Sequence, residues 1–400
     1  MALASNPSKL PKVAVITKNW EFGGGDWSTI TEQAFVLRHM AGAISLFADV
    51  EVIYTGGNET KTVGDGVFDV HMLAAQPTDW DKVRLDVASN LLARACSDNC
   101  EVDGIFEPAA AAWFEELEGS QWERVAEVLG TWDEISLIIV AGSCHTGISA
   151  VINKLGVPIA YIPTSTDLNA LTLSVFDQFA PGTRSILTSS SEESTDIVIA
   201  FPEFAGVISN VGLSVPVNPS VNREPSTELA DQRYVLVLCK GSVHDGGREL
   251  ELMKALAMRF PKNPIVVVNS DQLSIWRQNC RRYYPPIDRQ MDLWRLMAWA
   301  QCTVDLTPGE LVGVRALESM RLGTPVVAPE GTRTSRHLLD ANGGIWFDGP
   351  AELCGAVEVM LDSDISERLG KQARQYADAY YGSTARFVQS VAKALRLDEL

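Results

Sequence analysis

Two series of short, β-branched runs constrain this chain more than any other feature. The first comprises Val13–Thr17, Val50–Tyr54, Ser136–Val140, Val157–Ile162 and Asp196–Ala200. The second comprises Tyr234–Leu238, Pro264–Val268, Cys302–Leu306, Pro325–Ala328 and Gly344–Phe347. Segments with helical periodicity lie between many of them, among them Ser28–Leu46, Glu249–Arg259, Met291–Ala300 and Ala351–Leu361. Nearly continuous apolar strands alternating with helices predict parallel sheets covered on both faces. Between the two series, Val215–Arg233 carries three prolines and no periodicity, which reads as a linker. The expectation is two doubly wound α/β domains, over 1–218 and 234–383, joined by 219–233. Ligands are expected at the carboxyl ends of the strands, in a cleft that the two domains face. A last helical segment within 384–400 can pack on either domain, including back on the first.

Composition narrows the partners. A 400-residue chain with 46% hydrophobic and 21% charged residues is globular and long enough for two or three cores. The net charge of −18 is lopsided: residues 1–220 hold 28 acidic and 11 basic side chains, residues 221–400 hold 23 and 22. An acidic first half repels phosphate backbones and anionic headgroups, which makes nucleic acid and membrane surfaces poor partners for it. Seven cysteines show no paired, tightly spaced framework, and no stretch is apolar enough for a leader or a membrane span. A cytoplasmic protein without stable membrane insertion is expected.

The most informative stretch runs from Thr307 to Ala328. A strand ends at Leu306, a Gly-containing loop follows, and a helix runs through Glu318 before the next buried strand. The loop and first helical turn present backbone N–H groups and partial positive charge, suited to phosphate. Glu310 in the loop and Glu318 eight residues later can reach two parts of one elongated ligand. A carboxylate accepting from sugar or ribose hydroxyls contributes about 1.5–3 kcal/mol per bond. The bare pair also fits a solvated loop charge and an ordinary helix residue. In the first half, Gly23-Gly24-Gly25 follows a strand and opens a helix, so the backbone can approach a ligand closely there. His145 also follows a strand, at the end where sites gather, and fits a structural hydrogen-bonding role equally well. Asp79-Trp-Asp81 and Asp362-Ser-Asp364 spell a metal motif but read as caps or solvated charge. Trp294 and Trp299 read as core.

Glu310, Gly313, Glu318, Met320, Gly323, Pro325, Val326 and Val327 stand in one register. On these residues the stretch resembles the E-x7-E motif of retaining GT-B glycosyltransferases of family 4. Leu338–Phe347, with Asn-Gly-Gly before a strand, is similar to the same family. The likeness is strong over about residues 234–375 and only a matter of pattern before them. Val312 replaces the usual aromatic and Ser319 the usual Ala.

The resemblance implies a GT-B fold of two Rossmann-like domains and transfer from a nucleotide-diphosphate sugar with retention of configuration. It implies that Glu310 holds donor-sugar hydroxyls, Glu318 the ribose, and the backbone at Val312, Gly313 and Val314 the diphosphate. Lys240 stands at the family's Arg position and would neutralise the leaving diphosphate, with no metal or other cofactor required. Asp245 stands where the second cation is expected; Arg248 either replaces it or is an exposed helix-start arginine. Gly24 and Gly25 would face the donor phosphates, and Arg289 lies in the stretch implied for base recognition. Many relatives place a His after the strand ending at Ile162. Here Asp167 or neighbouring hydroxyls would have to serve beside His145. The acidic first half implies a soluble acceptor that is neutral or cationic. A catalytically silent donor- or partner-binding protein, and an epimerase or phosphorylase on the same fold, remain the rival readings, with an oxidoreductase behind them.

Overall fold

The structure, a computed structural model, describes residues 10–17, 32–57, 60–66, 68–74, 124–132, 134–141, 155–163, 183–218, 221, 233–239, 248–268, 280–283, 290–306 and 312–397. The chain divides into two compact units. Met1–Trp20, Leu37–Val211 and Gln389–Leu400 make up the first; Glu21–Val36 and Gly212–Val388 make up the second.

Through the first unit the chain runs β1 (Lys12–Thr17), α1 (Glu32–Ile44), β2 (Asp49–Gly57), β3 (Lys61–Asp65), β4 (Phe68–Ala74), β5 (Ile135–Ala141), β6 (Ile159–Ile162), β7 (Thr183–Thr188), α2 (Ser191–Ala200) and β8 (Ile208–Asn210). The strands form one sheet in the order β3-β4-β2-β1-β5-β6-β7-β8. Among the described strands, only the β3–β4 pair is antiparallel. On one face Ala14, Ile16, Ile53, Ile138 and Val140 pack with Val125, Leu129, Ile197, Phe201 and Phe204. Each large apolar side chain buried this way contributes about 1.5–3 kcal/mol.

Asp196–Ala200, expected as a strand, lies instead in α2, and the strand of this region is β7. The reason is a helix start within Ser189–Ser194, which reads from sequence as a mere polar loop. Ser190 Oγ accepts from the Glu193 amide at 3.1 Å, while Glu193 Oε2 accepts from the Ser189 amide at 2.7 Å. This reciprocal cap outweighs the β-branched character of Ile197–Ile199. Helical period then buries Ile197 and leaves Ile199 exposed.

The second unit contains β9 (Val235–Leu238), α3 (Arg248–Arg259), β10 (Ile265–Val268), β11 (Cys280–Tyr283), α4 (Gln290–Trp299), β12 (Cys302–Asp305), α5 (Val314–Arg321), β13 (Val326–Pro329), α6 (Arg333–Ala341), β14 (Gly344–Phe347), α7 (Pro350–Met360) and α8 (Ser363–Tyr381). A final helix, α9 (Thr384–Leu395), follows. The sheet is wholly parallel in the order β11-β10-β9-β12-β13-β14, the strand order of doubly wound nucleotide-binding sheets. Alternate residues serve opposite faces. Val235, Val237, Ile265 and Val267 pack with Leu250, Met253 and Val357, whereas Leu236, Leu238, Val266 and Val268 pack with Leu293, Trp294 and Met297. Both faces are covered, as the unbroken apolar runs require. Among the described residues, no helix is long and apolar enough to cross a membrane.

Candidate functional site

In a doubly wound sheet the strand order reverses at one point, and the carboxyl ends flanking that point open a crevice. In the second unit the flanking strands are β9 and β12, where Asp305 pairs with Leu238 and the Leu306 amide donates to the Leu238 carbonyl at 2.9 Å. The chain leaves β9 two residues before Lys240 and leaves β12 five residues before Glu310. In the first unit the reversal falls between β1 and β5, whose last residues, Thr17 and Ala141, are partners in register. From there the chain runs on to Gly24 and Gly25 and to His145. Gly24, Gly25, His145, Asp167, Lys240, Arg289 and Glu310 themselves lie outside the described residues.

The described part of the motif is built around the start of α5. Gly313 caps this helix in the left-handed region, at φ 73° and ψ 49°, and the first helical bond runs from the Leu317 amide to its carbonyl at 3.0 Å. A β-carbon there would stand 2.5 Å from Thr334 Oγ1. Conformation and space therefore both select glycine. The positive end of the α5 dipole lies where the Glu310 segment enters the helix. Val312 and Val314 are buried on either side of the cap.

Glu318 is fully buried, and both carboxylate oxygens are engaged. Oε1 accepts from the Trp294 indole N–H at 3.1 Å, and Oε2 accepts from Arg315 Nη1 at 2.8 Å. One turn of α5 thus supplies the cation for its own carboxylate, and α4 supplies a neutral donor. Ser319 exchanges a hydrogen bond with Thr303 at 2.8 Å and donates to the Thr324 carbonyl at 3.3 Å, which ties α5 to β12 and to the turn before β13.

Arg248 opens α3 with an exposed guanidinium. Its Nη2 donates to the Asp348 carbonyl at 2.8 Å and lies 3.4 Å from the Asp348 carboxylate. Asp362 is the N-cap of α8, accepting from the amides of Asp364 and Ile365, so one of the two metal-like spellings is a helix cap. Trp294 is core, but its N–H also serves Glu318. Its place on the α4 face toward α5 could not be read from periodicity alone. Arg315 was legible, because it precedes Glu318 by three residues on a helix. The roles of Thr334 and His337 around Gly313 carried no sequence signal.

Two doubly wound units with sheets of these orders make up the GT-B fold, and the solved structures agree on that fold. The chain superposes on sucrose-phosphate synthase from Thermosynechococcus elongatus with a TM-score of 0.65 at 14% identity, covering 97% of this chain and 99% of that one. It superposes on α,α-trehalose 6-phosphate synthase from Burkholderia multivorans with a TM-score of 0.63 at 11% identity, over 98% and 97%. For WaaG, a glycosyltransferase involved in lipopolysaccharide biosynthesis, the TM-score is 0.58 at 12% identity, over 96% and 99%. No family model matches the chain. Among curated proteins it is similar to D-inositol 3-phosphate glycosyltransferase from Corynebacterium jeikeium (strain K411), 30% identical over 212 residues, or 50% of this chain. The match takes in 45% of that relative, less than half its length.

Proposed function

We propose that this chain is a glycosyltransferase that moves a sugar from a nucleotide-diphosphate sugar to a soluble, neutral or cationic acceptor with retention of configuration. The observation that carries the reading is the position of the two motifs. Lys240 and Glu310 follow the two strands that flank the reversal of the second sheet. Adjacent strand ends that lead on to a cation and a carboxylate suit one ligand with a diphosphate and hydroxyls. Lys240 and the positive end of α5 stabilise the departing diphosphate without a metal, and Glu310 orients the donor sugar. Glu318, whose carboxylate is already held by Trp294 and Arg315, takes the ribose. Arg248, which holds Asp348 through Nη2 alone, joins the diphosphate. His145 and Asp167, beyond the ends of β5 and β6, serve the reacting sugar and acceptor.

A thermal-shift panel of UDP-, GDP-, ADP- and TDP-sugars tests the donor. A ligand present at 100 times its Kd stabilises by about 2.7 kcal/mol. Release of the nucleotide diphosphate that depends on an added acceptor, and persists in EDTA, supports metal-independent transfer. Glu310→Ala is expected to keep the melting temperature and abolish turnover; undiminished product formation by this variant refutes the assigned site. Nucleotide-sugar conversion without an acceptor supports the epimerase reading instead.

A further inference from the structure

We propose that Thr334 and His337 are positioning residues, a clamp that holds both ends of the segment carrying Glu310. The inference rests on the reading of Glu310 as the donor-sugar ligand and deepens it by naming what sets that segment in place. Both side chains come from α6, three residues apart, and therefore from one face of the helix. Thr334 Oγ1 donates to Asp305 Oδ2 at 3.1 Å, and Asp305 is the last residue of β12. His337 Nε2 lies 2.7 Å from the carbonyl oxygen of Val312, the residue just ahead of the Gly313 cap. Between these two anchor points run residues 306–311, Glu310 among them.

The anchors are well founded physically. Asp305, Val312, Thr334 and His337 are all buried, so neither bond competes with water. A carbonyl can only accept, so His337 carries its proton on Nε2. In the neutral imidazole Nδ1 is then an acceptor and takes the Tyr376 hydroxyl of α8 at 3.1 Å. The Tyr381 ring packs edge-on against the imidazole, with centroids 5.4 Å apart. Both ring nitrogens and one ring edge are therefore fixed before His337 reaches Val312. The close fit of Gly313 against Thr334 Oγ1 shows that the same face of α6 also sets the start of α5. A carboxylate that must meet a sugar within a fraction of an ångström needs such support, since a misplacement of about 1 Å lowers a rate by about 100-fold.

Three variants of the full chain test the clamp. His337→Leu removes both ring nitrogens, His337→Gln restores a donor at the reach of Nε2, and Thr334→Val removes the hydroxyl at nearly constant shape. Hydrogen exchange of peptides within 305–318 is expected to quicken by about tenfold or more in His337→Leu and in Thr334→Val, and to return toward wild type in His337→Gln. With a nucleotide sugar, kcat falls by about tenfold or more in the first two while KM changes little, and the Gln variant recovers kcat. Unchanged exchange in every variant that folds overturns the clamp; if His337→Leu does not fold, Thr334→Val decides. Exchange is measured without a donor. A wild-type chain that turns over no nucleotide sugar therefore defeats the functional reading while the exchange result still judges the clamp.

Discussion

The two sheets share a core order but place their polar side chains differently. In the first, a polar ladder crosses four neighbouring strands at the amino end of β1. Lys12 pairs with Glu51, Glu51 with His71 at 2.7 Å, and His71 with Thr62 at 3.1 Å, while Lys12 and His71 both rest on the Trp132 ring. In the second, a polar cluster gathers around one helix beyond the carboxyl end of β12. Glu318, Thr334 and His337 all bond within or beside α5. The ladder starts at the amino end of β1, away from the carboxyl ends where doubly wound sheets bind ligands, and it stays in partial contact with solvent. The α5 cluster lies at the ends where they do, and it is closed to solvent. Buried polar groups that must all be satisfied at once specify a single geometry, which a binding loop needs and a surface ladder does not.

The largest effect should come from the closed cluster. Glu318→Ala leaves the Trp294 N–H and the Arg315 guanidinium without their acceptor, and removing one partner of a buried pair costs about 3–5 kcal/mol. Urea unfolding of the variant should show a loss at the lower end of that range, because Arg315 retains some contact with water. A loss under about 1 kcal/mol would mean that the carboxylate braces nothing, and the contrast between the regions would collapse.

Gly313→Ala is next. The new methyl group meets Thr334 Oγ1, and alanine must adopt a left-handed backbone, together about 1–3 kcal/mol. Calorimetry would check the loss. A second substitution, Thr334→Ser, keeps the hydroxyl and removes only a methyl group. It should not relieve the clash, because the colliding atom is the oxygen.

How far the sequence could be read follows the same division. Runs such as Val235–Leu238 and Ile265–Val268 are apolar on both faces, and that alone forces a covered parallel sheet. The Glu310–Glu318 spacing and Gly313 mark a loop entering a helix, so the motif was legible with its place in the fold. The helix at Ser191–Ala200 was not, because Thr195–Ile199 favours a strand locally and the deciding bonds involve Ser189, Ser190 and Glu193 upstream. The burial of Glu318 was illegible for a different reason. Its partner Trp294 lies 24 residues away on another helix, and only the packing of α4 against α5 aims the indole N–H at the carboxylate. His337 meets Val312 across 25 residues in the same way.

The smallest effect should come from the ladder, and pH makes it measurable. Burial alone would raise the Glu51 carboxyl, but hydrogen bonds from Lys12 and His71 and the charges beside it outweigh burial and hold it below its ordinary range. A carboxyl lowered in the folded chain contributes stability that is fully present above its unfolded pKa and fades as pH falls through the folded one. Glu51→Gln should therefore destabilise by less than about 1 kcal/mol near neutrality, as expected for a partly solvated pair, and salt should shrink the difference. As pH falls from about 4.3, the ordinary glutamate value, through the lowered folded one, the melting curves of wild type and variant should converge, because protonated Glu51 offers Lys12 no more charge than glutamine does. Convergence absent over that range, or a neutral-pH loss as large as that of Glu318→Ala, would show the ladder to be as tightly closed as the α5 cluster.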